Sequence, residues 1–160
     1  MSFDISLSDL TEEHKRDYFN HYIKESPFPS LFKGHFDVFW HELMTGNDHH
    51  FVIMENGKII GFCEIKGTEG TTGEIGIELK GDERGRKKGT NALKELIKRA
   101  RNMGYRELIW KAESNNIPSI KLISSMGGIF VRTEEFDLSS LVEDTDERTR
   151  ILVYKLPADM

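Results

Sequence analysis

Between residues 73 and 104 the sequence changes its period from two to helical without a break. Over 73–80, Ile75, Ile77 and Leu79 alternate with Glu74, Gly76, Glu78 and Lys80, the pattern that sends successive side chains to opposite faces of a strand. From Ala92 the apolar residues fall at helical spacing. Ala92, Leu93, Leu96, Ile97, Ala100 and Met103 make one stripe, and Gly104 ends it. The connection over 81–88 is short and basic, and 107–112 reads as a buried strand. A strand, a helix and a second strand in this order form a crossover, which makes the two strands parallel. The rest of the chain must build around that unit.

Upstream the signals are antiparallel. Residues 2–7 alternate through Phe3, Ile5 and Leu7, and Ser8 is placed to cap a helix running to about Lys24. Ser26-Pro27-Phe28-Pro29-Ser30 interrupts it, and an aromatic-rich helix is expected over 34–44. Strands 51–54 and 59–65 flank Glu55-Asn56-Gly57-Lys58, and Asn-Gly is a strong hairpin signal. Downstream, Asn116 starts a helix with Pro118 in its first turn, and Gly127-Gly128 ends it. Segments 129–138 and 150–156 read as a closing antiparallel pair. The predicted order is β-α-α-β-β-β-α-β-α-β-β. The class is α+β (mixed α/β), with a single central mixed, mostly antiparallel sheet and flanking helices. At 160 residues, 38% hydrophobic and 31% charged, one soluble domain over 1–160 is expected.

The loop carries the chemistry. Gly85 and Gly89 flank Arg86, Lys87 and Lys88, with Arg84 just before them. Free amides at a helix N-terminus, the helix dipole and close main-chain approach at glycine together make an anion site. By itself the segment fits either a phosphate-bearing ligand or a solvated basic turn. It is neither a P-loop, since Thr90 follows Gly89 with Lys88 before it, nor a Rossmann G-x-G-x-x-G. Nucleic acid is not the expected partner. The net charge is −5 and no aromatics interleave the basic residues for base stacking.

Arg84-Gly85-Arg86-Lys87-Lys88-Gly89 resembles the phosphate loop of the GNAT superfamily of acyl-CoA-dependent N-acetyltransferases, Arg/Gln-x-x-Gly-x-Gly/Ala, with Lys87 at the middle glycine. A second block, Asn116-Ile-Pro-Ser119 through Gly127-Gly128, is similar to the family's Asn-x-x-Ala/Ser helix, with Gly128 replacing an aromatic. The element order over 1–156 matches as well. The resemblance implies a single N-acetyltransferase domain that uses acetyl-CoA as cosubstrate. Its pyrophosphate would sit on the amides of Arg84, Gly85, Arg86, Lys87, Lys88, Gly89 and Thr90. Its pantetheine arm would pair with the main chain of Ile77, Glu78 and Leu79, where an amide would also polarise the thioester carbonyl. Asn116 and Ser119 would hydrogen-bond the arm, and Asn116 as a plain helix N-cap is the other reading.

An amine with pKa near 10.4 is mostly protonated at neutral pH, so transfer needs a proton acceptor. Glu74 and Glu78 are the candidate catalytic residues, with Glu64 a third carboxylate on the neighbouring strand. The family's proton-donating tyrosine falls at Ile123, and no tyrosine occurs between Arg106 and Val153. The implied function is acetyl transfer to a primary amine of a small molecule or peptide by direct attack. A non-catalytic acyl-CoA-binding sensor is the alternative. The first two helices would form the acceptor wall, with Phe28, Phe32 or Trp40 as lining residues. A homodimer is an option the resemblance leaves open.

The remaining features point to few other classes. Neither His14/His21 nor His35/His41 has the i, i+4 spacing of a helical ligand pair, and Cys63 is a lone cysteine inside an apolar strand, so no metal is expected. No apolar run spans a bilayer, and the first fifteen residues lack a secretory pattern, so the expected location is cytoplasmic, with no membrane partner. Residues 134–147 carry seven acids and no Lys or Arg. In the family this closing hairpin lies near the acceptor, which implies a cationic substrate.

Overall fold

Asn56 and Gly57 both take left-handed conformations, φ 52° and 81°, the geometry of a tight hairpin whose twist matches its strands. They join β2 (His49–Glu55) to β3 (Lys58–Gly67). In this computed structural model residues 4–26, 28–85, 87–137 and 148–157 are described. The other strands are β1 (Ile5–Asp9), β4 (Thr72–Leu79), β5 (Glu107–Glu113), β6 (Ile129–Asp137) and β7 (Arg148–Pro157). The helices are α1 (Lys15–Glu25), α2 (Pro29–Thr45), α3 (Lys88–Asn102) and α4 (Ile117–Ser125). The sheet runs β1-β2-β3-β4-β5-β7-β6. β4 and β5 are parallel over Thr72↔Glu107 to Ile75↔Trp110, as the crossover requires. The pairs β1–β2, β2–β3, β5–β7 and β6–β7 are antiparallel.

Three boundaries differ from expectation, each for a local reason. Ser8 does not cap a helix; it pairs with Val52 in β1. Thr11 takes the capping place instead, its amide donating to His14 Nδ1 at 2.9 Å above a 3₁₀ turn over Glu12–His14. α2 begins at Pro29 rather than at 34, because proline at the first helical position loses no intrahelical bond. Met103 falls outside the buried stripe of α3, 36% exposed, since it follows the last helical residue beside left-handed Gly104. Ser2, Phe3 and Leu138 lie outside the described residues.

By packing, the chain divides into two units: Met1–Lys66 with Ile77–Leu96, and Gly67–Gly76 with Ile97–Met160. The first is built on Leu10, Tyr18, Phe36, Trp40, Val52 and Phe62, with Tyr18 edge-on to Phe62 at 5.1 Å. Trp40 is therefore core rather than pocket wall, and its Nε1 donates to Glu12. The second unit buries Leu108 and Trp110 of β5, Ile123 of α4 and Leu156 of β7. Each fully buried large apolar side chain contributes roughly 1.5–3 kcal/mol. Among the described residues no helix is long and apolar enough to cross a membrane.

Candidate functional site

The first unit holds the basic loop. After β4 the chain makes a 3₁₀ turn over Gly81–Glu83, then passes Gly85 at φ 96° and Lys87 at φ 61° into α3. The Lys88 amide donates to the Gly85 carbonyl at 3.2 Å, and the Asn91 amide to that of Lys87 at 3.1 Å. Gly89 and Thr90 stand in the first helical turn, where amides have no intrahelical acceptor. Arg86 lies outside the described residues. Lys87, at the family's glycine position, has the positive φ that makes a side chain there costly, roughly 1–2 kcal/mol.

Two basic side chains of the loop, Arg84 and Lys88, are already engaged. Lys88 is buried, its ammonium 2.6 Å from Glu83 and 3.0 Å from Glu55. Lys58 bonds the other oxygen of Glu83. Hydrogen bonds from these two lysines hold the Glu83 carboxyl down at about 2. This network ties the start of α3 to the β2–β3 hairpin, so the Lys88 ammonium faces the hairpin. Arg84 donates to Glu78 at 3.1 Å and to Glu25 at 3.5 Å.

Glu78 is the centre of a cluster that α1 completes. His21 and Glu25, one helical turn apart, both reach it. His21 is buried, its Nε2 is 3.9 Å from Glu78 Oε1, and that nitrogen has no hydrogen-bond partner. Burial raises the Glu78 pKa and Glu25 adds to it, while Arg84 opposes both. Burial lowers the His21 pKa. Burial pushes the Tyr18 phenol up, with Glu64 adding to it and the Tyr22 hydrogen bond opposing; burial also pushes up Tyr22, with Tyr18, Glu78 and Glu64 adding to it. Gly61 of β3 lets β4 approach, since a Cβ there would meet the Glu78 carbonyl oxygen at 2.4 Å. A cavity of about 230 Å³ in this unit is lined by Tyr18, Phe39, Glu42, Asp48, His50 and Glu64 among others.

The second unit holds Glu74, Asn116 and Ser119. Glu74 lies 3.3 Å from Lys111, which also approaches Glu134 at 3.5 Å. Asn116 caps α4, its Oδ1 accepting from the Ser119 amide at 3.3 Å. The side-chain amide nitrogen of Asn116 is not used by the cap. The Ser119 Oγ accepts from Trp110 Nε1 at 3.0 Å and keeps its own proton to donate. Gly128 stands where an aromatic is usual in the motif because its Cβ would meet the Ile123 carbonyl oxygen at 2.7 Å. The pairs of β4 with β5 run over Thr72–Ile75, and Ile77, Glu78 and Leu79 follow in the same strand.

The acetyltransferase (GNAT) family model matches residues 7–127, from β1 through the loop to the end of α4. The chain belongs to this family. A comparison with curated protein sequences gave no match. Solved GNAT structures share the fold at low identity. An N-acetyltransferase from Staphylococcus aureus Mu50 is 20% identical, covering 97% of this chain and 99% of that one, TM-score 0.73. The spermidine/spermine N-acetyltransferase of Vibrio cholerae is 11% identical, covering 98% and 96%, TM-score 0.77. The yncA protein of Salmonella typhimurium, solved with its cofactor acetyl-CoA, is 15% identical, covering 97% and 94%, TM-score 0.68.

His21, Glu25 and Lys111 stand beside the candidate carboxylates although the sequence does not single them out for the site. The first two carry a readable signal, the i, i+4 spacing of a histidine and a glutamate on one helix. Lys111 carries none, because its approach to Glu74 depends on the β4–β5 register.

Proposed function

We propose that this GNAT protein transfers an acetyl group from acetyl-CoA to a primary amine of a small molecule or peptide, by direct attack on the thioester. The observation that carries the reading is the β4–loop–α3 turn, in which Gly85 and Lys87 both take left-handed conformations where the chain enters a helix N-terminus. A glycine-containing turn that opens onto a helix N-terminus leaves amides free for phosphate. The space above Gly85 is open, with nothing within 4 Å of where a Cβ would stand.

Acetyl-CoA supplies the activated acyl group and the phosphates for this loop. The amides of Gly85 and Lys87–Thr90 hold those phosphates, and exposed Lys87 is the loop cation placed beside them, Arg84 being held by Glu78 and Glu25. Main-chain groups of Ile77, Glu78 and Leu79 receive the pantetheine arm, and for Asn116 and Ser119 the donor role rests on the family resemblance alone. Glu78 accepts the proton of the amine, directly or through a water. Its carboxyl is raised by burial toward the range where a base works near neutral pH. Glu74 is the other candidate, paired with Lys111 as Glu78 is with Arg84. The acceptor is a slim cationic amine. The Tyr18–Glu64 cavity offers the carboxylates Glu42, Asp48 and Glu64 beside two aromatic rings, and its volume is below that of drug-sized sites, about 300 Å³ upward.

One observation favours a second reading. Ile123 is fully buried and apolar where the family's proton donor falls, which suits a non-catalytic acyl-CoA-binding sensor. Two measurements separate the readings. Saturation with acetyl-CoA at about 100 times Kd should raise the melting temperature by roughly 5–10 °C, and dephospho-CoA by less. No rise at millimolar acetyl-CoA would overturn both readings. Thiol release above hydrolysis with spermidine or another amine supports transfer. Binding without such release, across an amine panel, supports the sensor.

A further inference from the structure

We propose that His21 and Glu25 of α1 and Glu78 of β4 form a site for a divalent first-row transition-metal ion. Their ligand atoms lie within 4.8 Å of one another. The closest histidine–carboxylate pair, His21 Nε2 and Glu78 Oε1, is 3.9 Å apart. That is too long for a hydrogen bond, and a closure of about 0.3–0.6 Å brings it to the roughly 3.3–3.6 Å between two ligands held tetrahedrally at about 2.0–2.2 Å from one ion. Glu25 closes the wider gap by rotating a side chain that is 43% exposed.

The His21 imidazole makes this more than a pair of carboxylates. Its side chain is 6% exposed, and Nε2 faces Glu78 without a partner. A buried polar atom in that condition costs about 1–3 kcal/mol unless something meets it. Arg84 satisfies the two carboxylates but bonds neither nitrogen of His21. An ion meets all three groups, and imidazole with carboxylate suits zinc and its first-row neighbours. Burial favours the neutral imidazole, the form that ligates. The ion and the Arg84 guanidinium compete for the same carboxylates, so Arg84 is the resident cation that metal displaces. The spacing that matters is histidine to glutamate along α1, not histidine to histidine.

Calorimetric titration of the full chain with zinc chloride tests the site without reference to catalysis. One ion per chain should bind, with affinity weakened at least about tenfold in Glu25→Gln and His21→Ala and strengthened in Arg84→Gln. Glu25→Gln leaves the buried core untouched and serves if His21→Ala does not fold. His49→Ala, at an exposed histidine, should bind as the unaltered chain does. Absence of binding, binding indifferent to Glu25→Gln, or binding lost with His49→Ala would overturn the proposal. An inhibition arm rests on the proposed role of Glu78: zinc should block thiol release and EDTA restore it. A chain that binds zinc at these residues yet never transfers acetyl keeps the site and loses the function; active transfer without zinc binding does the reverse.

Discussion

Lys87 stands at φ 61°, where the motif carries glycine, and Arg84 stands on the carboxylate proposed as base. The two residues make separable predictions. Lys87→Gly relieves the left-handed conformation, roughly 1–2 kcal/mol, while adding unfolded-state freedom of about 0.5–1 kcal/mol. Thermal melting should therefore show a net gain of up to about 1.5 kcal/mol, equivalent to at most about 3–6 °C for a chain this long. If the ammonium meets cofactor phosphate, the same variant binds acetyl-CoA more weakly in calorimetry despite being more stable. Equal or tighter binding would remove Lys87 from the site. Arg84 lowers the Glu78 pKa through its charge and its hydrogen bond. Arg84→Gln therefore raises that pKa further, and a base works only when deprotonated. The acidic limb of the kcat/KM profile should move to higher pH. A limb that stays in place would mean that Glu78 is not the group being titrated.

At the scale of elements, the network that fixes the head of α3 has a pH signature. Glu83 is held at about 2, below its ordinary 4.5, by Lys58 and Lys88. A depressed carboxyl contributes stability that is present above its unfolded value and is lost as pH falls through 4.5 toward 2. Denaturant unfolding should show this loss over that window, and Glu83→Gln should be less stable at neutral pH and flatter in acid. A parallel pH dependence in both proteins would exclude Glu83 as the source. Gly61→Ala tests the β3–β4 contact, since its Cβ meets main-chain oxygen rather than a yielding side chain. A destabilisation of about 1–3 kcal/mol is expected. Such contacts mark where the sequence stops being readable. Periodicity locates β4 and α3, while β2 and β3, buried on both faces over Phe51–Ile53 and Ile60–Cys63, are located by their apolar runs and the Asn-Gly turn between them. The engagement of Lys88 with Glu55 and of His21 with Glu78 depends on chain segments meeting across unit one, and no local pattern encodes it. Even the start of α1 escapes local reading, because Ser8 satisfies its backbone in the pairing with β2 before any cap can form.

Over the whole molecule the order of strands and helices was legible, and the distribution of charge more so than its total. A net charge of −5 averages a basic loop with acidic positions in the first unit and over 134–147, of which 138–147 lie outside the described residues. The loop cations Arg84 and Lys88 are largely neutralised by Glu25, Glu55, Glu78 and Glu83. The cavity of the first unit keeps three carboxylates, Glu42, Asp48 and Glu64, against Lys66 and a histidine. An amine of the kind proposed as acceptor would thus meet more carboxylates than cations at the cavity, and a net negative charge from afar. Screening shortens that field from about 30 Å at 0.01 M salt to about 8 Å at 0.15 M. For spermidine, kcat/KM should fall several-fold across that range, and the fall should be smaller for a monoamine carrying one charge. Glu42→Gln and Asp48→Asn should each flatten the spermidine response while leaving the melting temperature within about 1–2 °C, since both change exposed charge rather than packing. A salt response identical for both amines, or unchanged in the two variants, would mean that charge in this cavity does not select the acceptor.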